Sequence, residues 1–106
     1  MGNTEASTRY RIAPHLAWRL VDDQTLVMDL TNKQTYEFNS TASAIWHMIF
    51  LQNQKHEQGG GWTKEVVLTP LLQVSNADPR HVGRQVDEFL AECVARGFLL
   101  QEGREA

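Results

Sequence analysis

The sequence predicts an α+β domain in which a three-stranded antiparallel sheet is followed by three helices. Three observations predict it. Apolar and polar residues alternate between Leu16 and Asn39, as in half-buried strands. The period becomes helical at Asn39-Ser40-Thr41, after which Ala42, Ile45, Trp46, Ile49 and Phe50 fall on one helix face. Further on, Asp78-Pro79 opens a run with apolar residues every three or four positions, as a capped helix does. At 106 residues and 42% hydrophobic content there is material for one small core, burying roughly 65% of the surface the unfolded chain exposes.

The elements follow in order. Residues 1–11 lack periodicity and are expected to form a mobile tail, as are residues 102–106, leaving a domain over 12–101. Trp18 and Leu20 mark the first strand, Leu26, Met28 and Leu30 the second, and Tyr36 and Phe38 the third. The polar breaks at Asp22-Asp23-Gln24 and Thr31-Asn32-Lys33-Gln34 are short enough to make the strands an antiparallel meander with one apolar face. The first helix is expected from about Thr41 to Leu51, with Trp46 and Ile49 covering the sheet. Gln52 to Gly61 is polar and glycine-rich, which reads as a flexible loop; it lacks the preceding apolar strand and the Gly-Lys-Ser/Thr ending of a phosphate cradle. A second helix opens at Thr63 and carries Val66, Val67, Leu71 and Leu72. Pro70 is expected to kink or break it, because an interior proline removes a hydrogen bond and clashes with the preceding turn at a cost of about 3 kcal/mol. The third helix runs from the Asp78 cap through Val82, Val86, Phe89, Leu90, Cys93 and Val94 to Gly97 as a left-handed cap, and Phe98-Leu99-Leu100 folds back on the core.

Charge and composition narrow the function. A formal net charge of −3 excludes strong bulk attraction to nucleic acid or an anionic membrane. The N-terminal MGNTEASTRYR has no apolar signal region and no run reaches the length of a membrane span, so a cytoplasmic location is expected. The lone Cys93 excludes an internal disulfide framework and agrees with a reducing compartment. Asn39-Ser40-Thr41 matches a glycosylation sequon, but without a secretory route the three residues read as a helix cap.

Reactive groups do not converge, so no catalytic residue, metal or cofactor is expected, and the chain does not read as an enzyme. Cys93 shares a stripe with Val86, Phe89 and Leu90 and reads as a small buried hydrophobe. His15, His47, His56 and His81 lie in four separate segments without metal-ligand spacing. Asp22, Asp23 and Asp29 read as turn residues. Trp18 and Trp46 read as core, and Trp62 as a lid on the loop.

A meander followed by three helices is winged helix-turn-helix-like, and in DNA binders of that kind the last helix enters the major groove. Here Arg80, Arg84 and Arg96 are outnumbered by Asp78, Asp87, Glu88 and Glu92, a poor balance for contacting phosphates. A winged-helix nucleic-acid binder therefore remains only as the alternative reading.

Tyr36-Glu37-Phe38-Asn39-Ser40-Thr41-Ala42-Ser43-Ala44-Ile45-Trp46 resembles the Y-x-L-N-E-T-A-x-x-I-W stretch of the PqqD-like proteins, small peptide-recognition domains of ribosomal peptide modification pathways. Pro14-His15-Leu16, Trp18-Arg19-Leu20 and Leu26-Val27-Met28-Asp29 look like that family's opening strands, and Asp78-Pro79, Val86, Phe89-Leu90 and Gly97-Phe98-Leu99-Leu100 like its ending. The 52–61 loop is longer than the family's short turn, and Pro70 interrupts a helix that is normally continuous. The resemblance implies a non-catalytic module that captures the leader segment of a precursor peptide. It then presents the core to a modifying enzyme, a radical SAM enzyme or a leader peptidase.

By the same resemblance the leader adds as a strand beside the third strand, along Thr35, Tyr36, Glu37, Phe38 and Asn39, and lies against the third helix. A proline-free edge has free backbone groups to pair. The apolar face of the third helix, through Val82, Val86, Phe89 and Cys93, extends on one flank through Gly83, Leu90 and Val94; that flank, with Arg80 and Asp87 at its rim, would floor the groove, or would equally serve to pack on the first helix. Helical phase alone does not show which flank faces the edge. An open edge also permits a homodimer by strand exchange.

Overall fold

A computed structural model describes residues 8–56 and 60–102. The element order is β1 (Arg9–Ile12), β2 (Leu16–Val21), β3 (Gln24–Asp29), β4 (Gln34–Phe38), α1 (Ser40–Lys55), α2 (Lys64–Val74), α3 (Pro79–Ala95) and β5 (Leu99–Glu102). β2, β3 and β4 form the expected antiparallel meander in that spatial order, and three helices follow. Asp22, at φ 58°, turns β2 into β3, and an aspartate tolerates this left-handed geometry better than most side chains. At the next turn Asp29 Oδ1 accepts hydrogen bonds from the backbone of Thr31 (2.8 Å) and Asn32 (3.2 Å), an Asx arrangement that sets the register of β4.

That register corrects the expected apolar face of β3. Val27 pairs across the sheet with Trp18 on one side and Tyr36 on the other, and Thr25 pairs with Phe38. Thr25, Val27 and Asp29 therefore point to the core, while Met28 and Leu30 are exposed. The aromatic partners decide the parity, because successive side chains on a strand take opposite faces.

Asn39 caps α1 as expected, its Oδ1 accepting from Ala42 N–H at 2.8 Å. One turn in, the buried Ser43 Oγ accepts from Thr25 N–H (2.8 Å) and donates to the Phe38 carbonyl (3.3 Å), tying the helix to two strands. The helix does not end at Leu51 but continues to Lys55. Its last turn faces inward: Gln52 is buried, and Asn53 Oδ1 accepts from Ile12 N–H (2.9 Å) and Trp62 Nε1 (3.1 Å).

Those bonds correct two more expectations. The tail does not extend to residue 11: Arg9–Ile12 is a strand paired antiparallel with β5, from Arg9 opposite Glu102 to Ile12 opposite Leu99. The expected tail over residues 1–7 lies outside the described residues, as do residues 103–106, while Glu102 belongs to β5. Trp62 is not a lid but core, 1% exposed, bridged to the Tyr10 backbone and stacked 5.2 Å from its ring. The end of the 52–61 loop is accordingly packed, although its residues 57–59 are outside the description. Gly61, at φ 105°, lies so close that an added Cβ would come within 2.6 Å of the Tyr10 carbonyl oxygen.

α2 runs through Pro70 to Val74 without a break. α3 starts on the Asp78 cap, whose carboxylate accepts from Arg80 N–H at 3.0 Å, and ends at Gly97, φ 82°. Gly97 N–H donates to the Val94 carbonyl (3.1 Å) and Phe98 N–H to that of Cys93 (2.8 Å), the paired bonds of a Schellman cap. The cap turns the chain so that Phe98 and Leu99 enter the core with Trp46, Ile49, Val67, Val86, Leu90 and Cys93.

Candidate functional site

The sheet order leaves the outer edge of β4 without a strand partner among the described residues. In an antiparallel ladder alternate residues direct their N–H and C=O to one neighbour, so half of β4's backbone groups face away from β3. The strand is held rigid from within. Phe38 packs edge-on against Phe89 (5.2 Å) and Trp46 (5.7 Å) and tilted on Phe98 (6.1 Å), and Tyr36 meets Phe98 at 5.0 Å. Such pairs add about 0.5–1.5 kcal/mol each beyond the area they bury. Glu37, between these two rings, faces solvent.

Beside the edge runs α3. Phe89 also approaches Trp46 (6.5 Å), so it stands between α3 and both β4 and α1. A cleft of about 180 Å³ opens there, lined by Glu37, Phe38, Asn39, Phe89, Glu92 and Arg96 among others. The Arg96 guanidinium lies 5.4 Å over the Tyr36 ring and pairs with Glu92 at 2.9 Å, closing one end with a cation–π and an ionic contact. A second cleft of about 260 Å³ continues over Asn39, Ala42 and Phe89 to Gln85 and Glu88.

β4 contributes Glu37 and Phe38 to this cleft and the α1 cap Asn39 joins them, while the other two edge residues, Thr35 and Tyr36, lie within the same strand. The α3 residues named with them do not line it. Val86 and Leu90 are buried at 0% and 2% exposure, and Gly83 is half-buried. Arg80 and Asp87 sit respectively nine and two residues from Phe89, which at about 100° per residue turns them to the far side of the helix. Asp87 there accepts a hydrogen bond from Lys64 Nζ at 2.8 Å beneath Tyr10. The flank that meets the edge is Gln85, Glu88, Phe89, Glu92 and Arg96. Phe89 was visible as part of the apolar stripe, and the charged residues beside it follow once its direction is known.

Cys93 borders the cleft, but burial pushes its thiol up to about 12, so the nucleophilic thiolate is not available near neutral pH. Among the described residues no group of three or more His, Cys, Asp or Glu side chains could hold a metal ion. No described helix is long and apolar enough to cross a membrane. The arrangement offers backbone pairing along an edge, an aromatic floor and a charged rim.

Fold and edge together define a class, a meander whose last strand lays its open edge along the last helix of a helical trio. Two solved structures have this fold. One is TbiB1 in complex with the TbiA(β) leader peptide, 19% identical, with a TM-score of 0.67 over 91% of this chain and 99% of that one. The other is a lasso peptide synthetase B1 complexed with the leader peptide, 16% identical, with a TM-score of 0.64 over 87% of this chain and 98% of that one. No protein-family model and no curated protein matches the chain.

Proposed function

We propose that the protein is a non-catalytic leader-peptide-binding module of the PqqD-like kind. It captures a ribosomally made precursor by strand addition at β4 and presents it to a separate modifying enzyme in the cytoplasm. The observation that carries this reading is the β4 edge, without a strand partner among the described residues, beside the Phe89 cleft, in a fold that two leader-peptide complexes share. Backbone pairing supplies affinity that is indifferent to sequence, and the cleft supplies choice among side chains. A radical SAM enzyme or a leader peptidase is the partner that the sequence resemblance suggests.

The test is a titration of the ¹⁵N-labelled protein with synthetic leader peptides of precursor genes adjacent to its own. Saturable shifts of the Thr35–Asn39 amides are expected, and Glu37→Pro, a change at a solvent-facing position of an edge strand, should weaken binding at least tenfold while the far-UV spectrum is kept. Unchanged affinity in a folded Glu37→Pro variant counts against this edge. Binding of a random DNA duplex with steep salt dependence, in place of peptide, would favour the nucleic-acid alternative.

A further inference from the structure

The clefts beside β4 do not stop where the strand stops. The second shares Thr41, Ile45 and Gln85 with a third, of about 390 Å³, which lies where the N-terminal turn of α1 meets the end of α2 and the start of α3. This last cleft is mainly apolar, walled by Ile45, Leu71, Val74 and Val82, and Val74 at its mouth is 79% exposed. The three form one trough leading from the β4 edge, across the α1 N-terminus, to an apolar end.

Its charge is one-sided. Among the described residues Glu37, Glu88 and Glu92 line it against the single cation Arg96. Arg96 is already engaged by Glu92 and by the Tyr36 ring, while among the described residues neither Glu37 nor Glu88 has an ion pair. A chain leaving β4 at Glu37 therefore meets midway the Glu88 carboxylate, which pairs with no cation among the described residues, and an apolar cavity beyond it.

We infer that the occupant is a peptide longer than the added strand. It carries a lysine or arginine that faces Glu88 and, past it, an aliphatic or aromatic side chain that seats in the cavity beneath Val74. The inference rests on the proposed strand addition for its starting point, but not for the chemistry of the trough. Continuity of the three clefts sets the path, the one-signed rim sets the cation, and the apolar walls set the anchor. A leader that paired only with β4 would leave Glu88 and the apolar end unused.

The probe is a phage-displayed library of random peptides panned against the full chain, followed by titration of one enriched peptide. The enriched set should share a basic residue and, on one side of it, a large apolar residue. Val74→Asp and Glu88→Lys alter exposed side chains and should leave the fold intact. Each should weaken the enriched peptide about tenfold or more, the first because a seated apolar side chain loses its dry contact, the second because like charges now face each other. Replacing the peptide's basic residue with glutamate should restore binding to Glu88→Lys, and only to that variant.

If Glu37→Pro abolishes binding while Val74→Asp and Glu88→Lys leave it unchanged, the trough proposal is overturned and strand addition stands. If Val74→Asp and Glu88→Lys weaken binding but Glu37→Pro does not, the trough stands and strand addition fails. Enriched peptides without the basic and apolar pair, or no enrichment at all, overturn the trough.

Discussion

Asn53 shows how one side chain can decide what a loop becomes. Its Oδ1 satisfies both the Ile12 backbone N–H and the Trp62 indole, so two segments on either side of a helix end share one acceptor. A buried donor left without a partner costs about 1–3 kcal/mol, which favours ordering a stretch whose composition reads as flexible. Cys93 carries a different consequence. Its folded pKa lies near 12 against 9.0 for a free thiol, first through burial and then through Glu92. The unfolded chain therefore loses its thiol proton first, and between pH 9 and about 12 the folded state is progressively disfavoured, by up to about 1.4 kcal/mol per pH unit. Urea midpoints measured from pH 8 upward should fall for the native chain and fall less steeply for Cys93→Ala. At pH 8 the thiol of the folded protein should react with a disulfide reagent far more slowly than that of the urea-unfolded protein.

Among the elements, α2 is the one whose sequence argues against its structure. Pro70 stands inside the helix and leaves the Val66 carbonyl without its usual N–H donor, yet four further residues remain helical. Leu71 and Leu72 beyond it pack against the core, and that burial, about 1.5–3 kcal/mol for each side chain fully withdrawn from water, offsets the lost bond. Pro70→Ala restores the donor and should raise the unfolding free energy by about 1–2 kcal/mol, less than the full proline penalty because alanine also frees the unfolded chain. Thermal melts of the two proteins decide it. α3 teaches the complementary lesson. Its start, its Schellman end and its apolar stripe are all legible in sequence, but the flank turned to β4 is not, because a stripe through Val82, Val86, Phe89, Leu90 and Cys93 is broad enough to face either neighbour. Packing of Phe89 between Phe38 and Trp46 makes the choice, and with it brings Glu92 and Arg96, not Arg80 and Asp87, to the edge.

At the scale of the whole molecule, the β1–β5 pair closes the fold, joining residues more than 80 positions apart in sequence, from Ile12 opposite Leu99 outward. It covers Trp62 through Tyr10 and anchors the strand that follows α3. A chain beginning at Ala13 should accordingly lose about 3 kcal/mol or more and bind a hydrophobic dye, since Trp62 would lose the Tyr10 side of its burial. If residues before 12 were a free tail, the same truncation would leave the melting temperature unchanged.

The order of the three-stranded meander and the three helices after it, the caps at Asn39, Asp78 and Gly97 and the place of the β4 segment before α1 were determined by the sequence itself. Each rests on neighbours within a turn or a strand's width: a side-chain cap, a left-handed residue, a change of period. The inward parity of β3, the strand at Arg9–Ile12, the burial of Trp62 and the flank of α3 that meets the edge were decided only by tertiary structure. Those features depend on which distant group a side chain meets, Val27 on Trp18 and Tyr36, Trp62 on Asn53 and Tyr10, Phe89 on Phe38 and Trp46. Local periodicity states that a face is apolar; which apolar face lies opposite is settled when the chain closes.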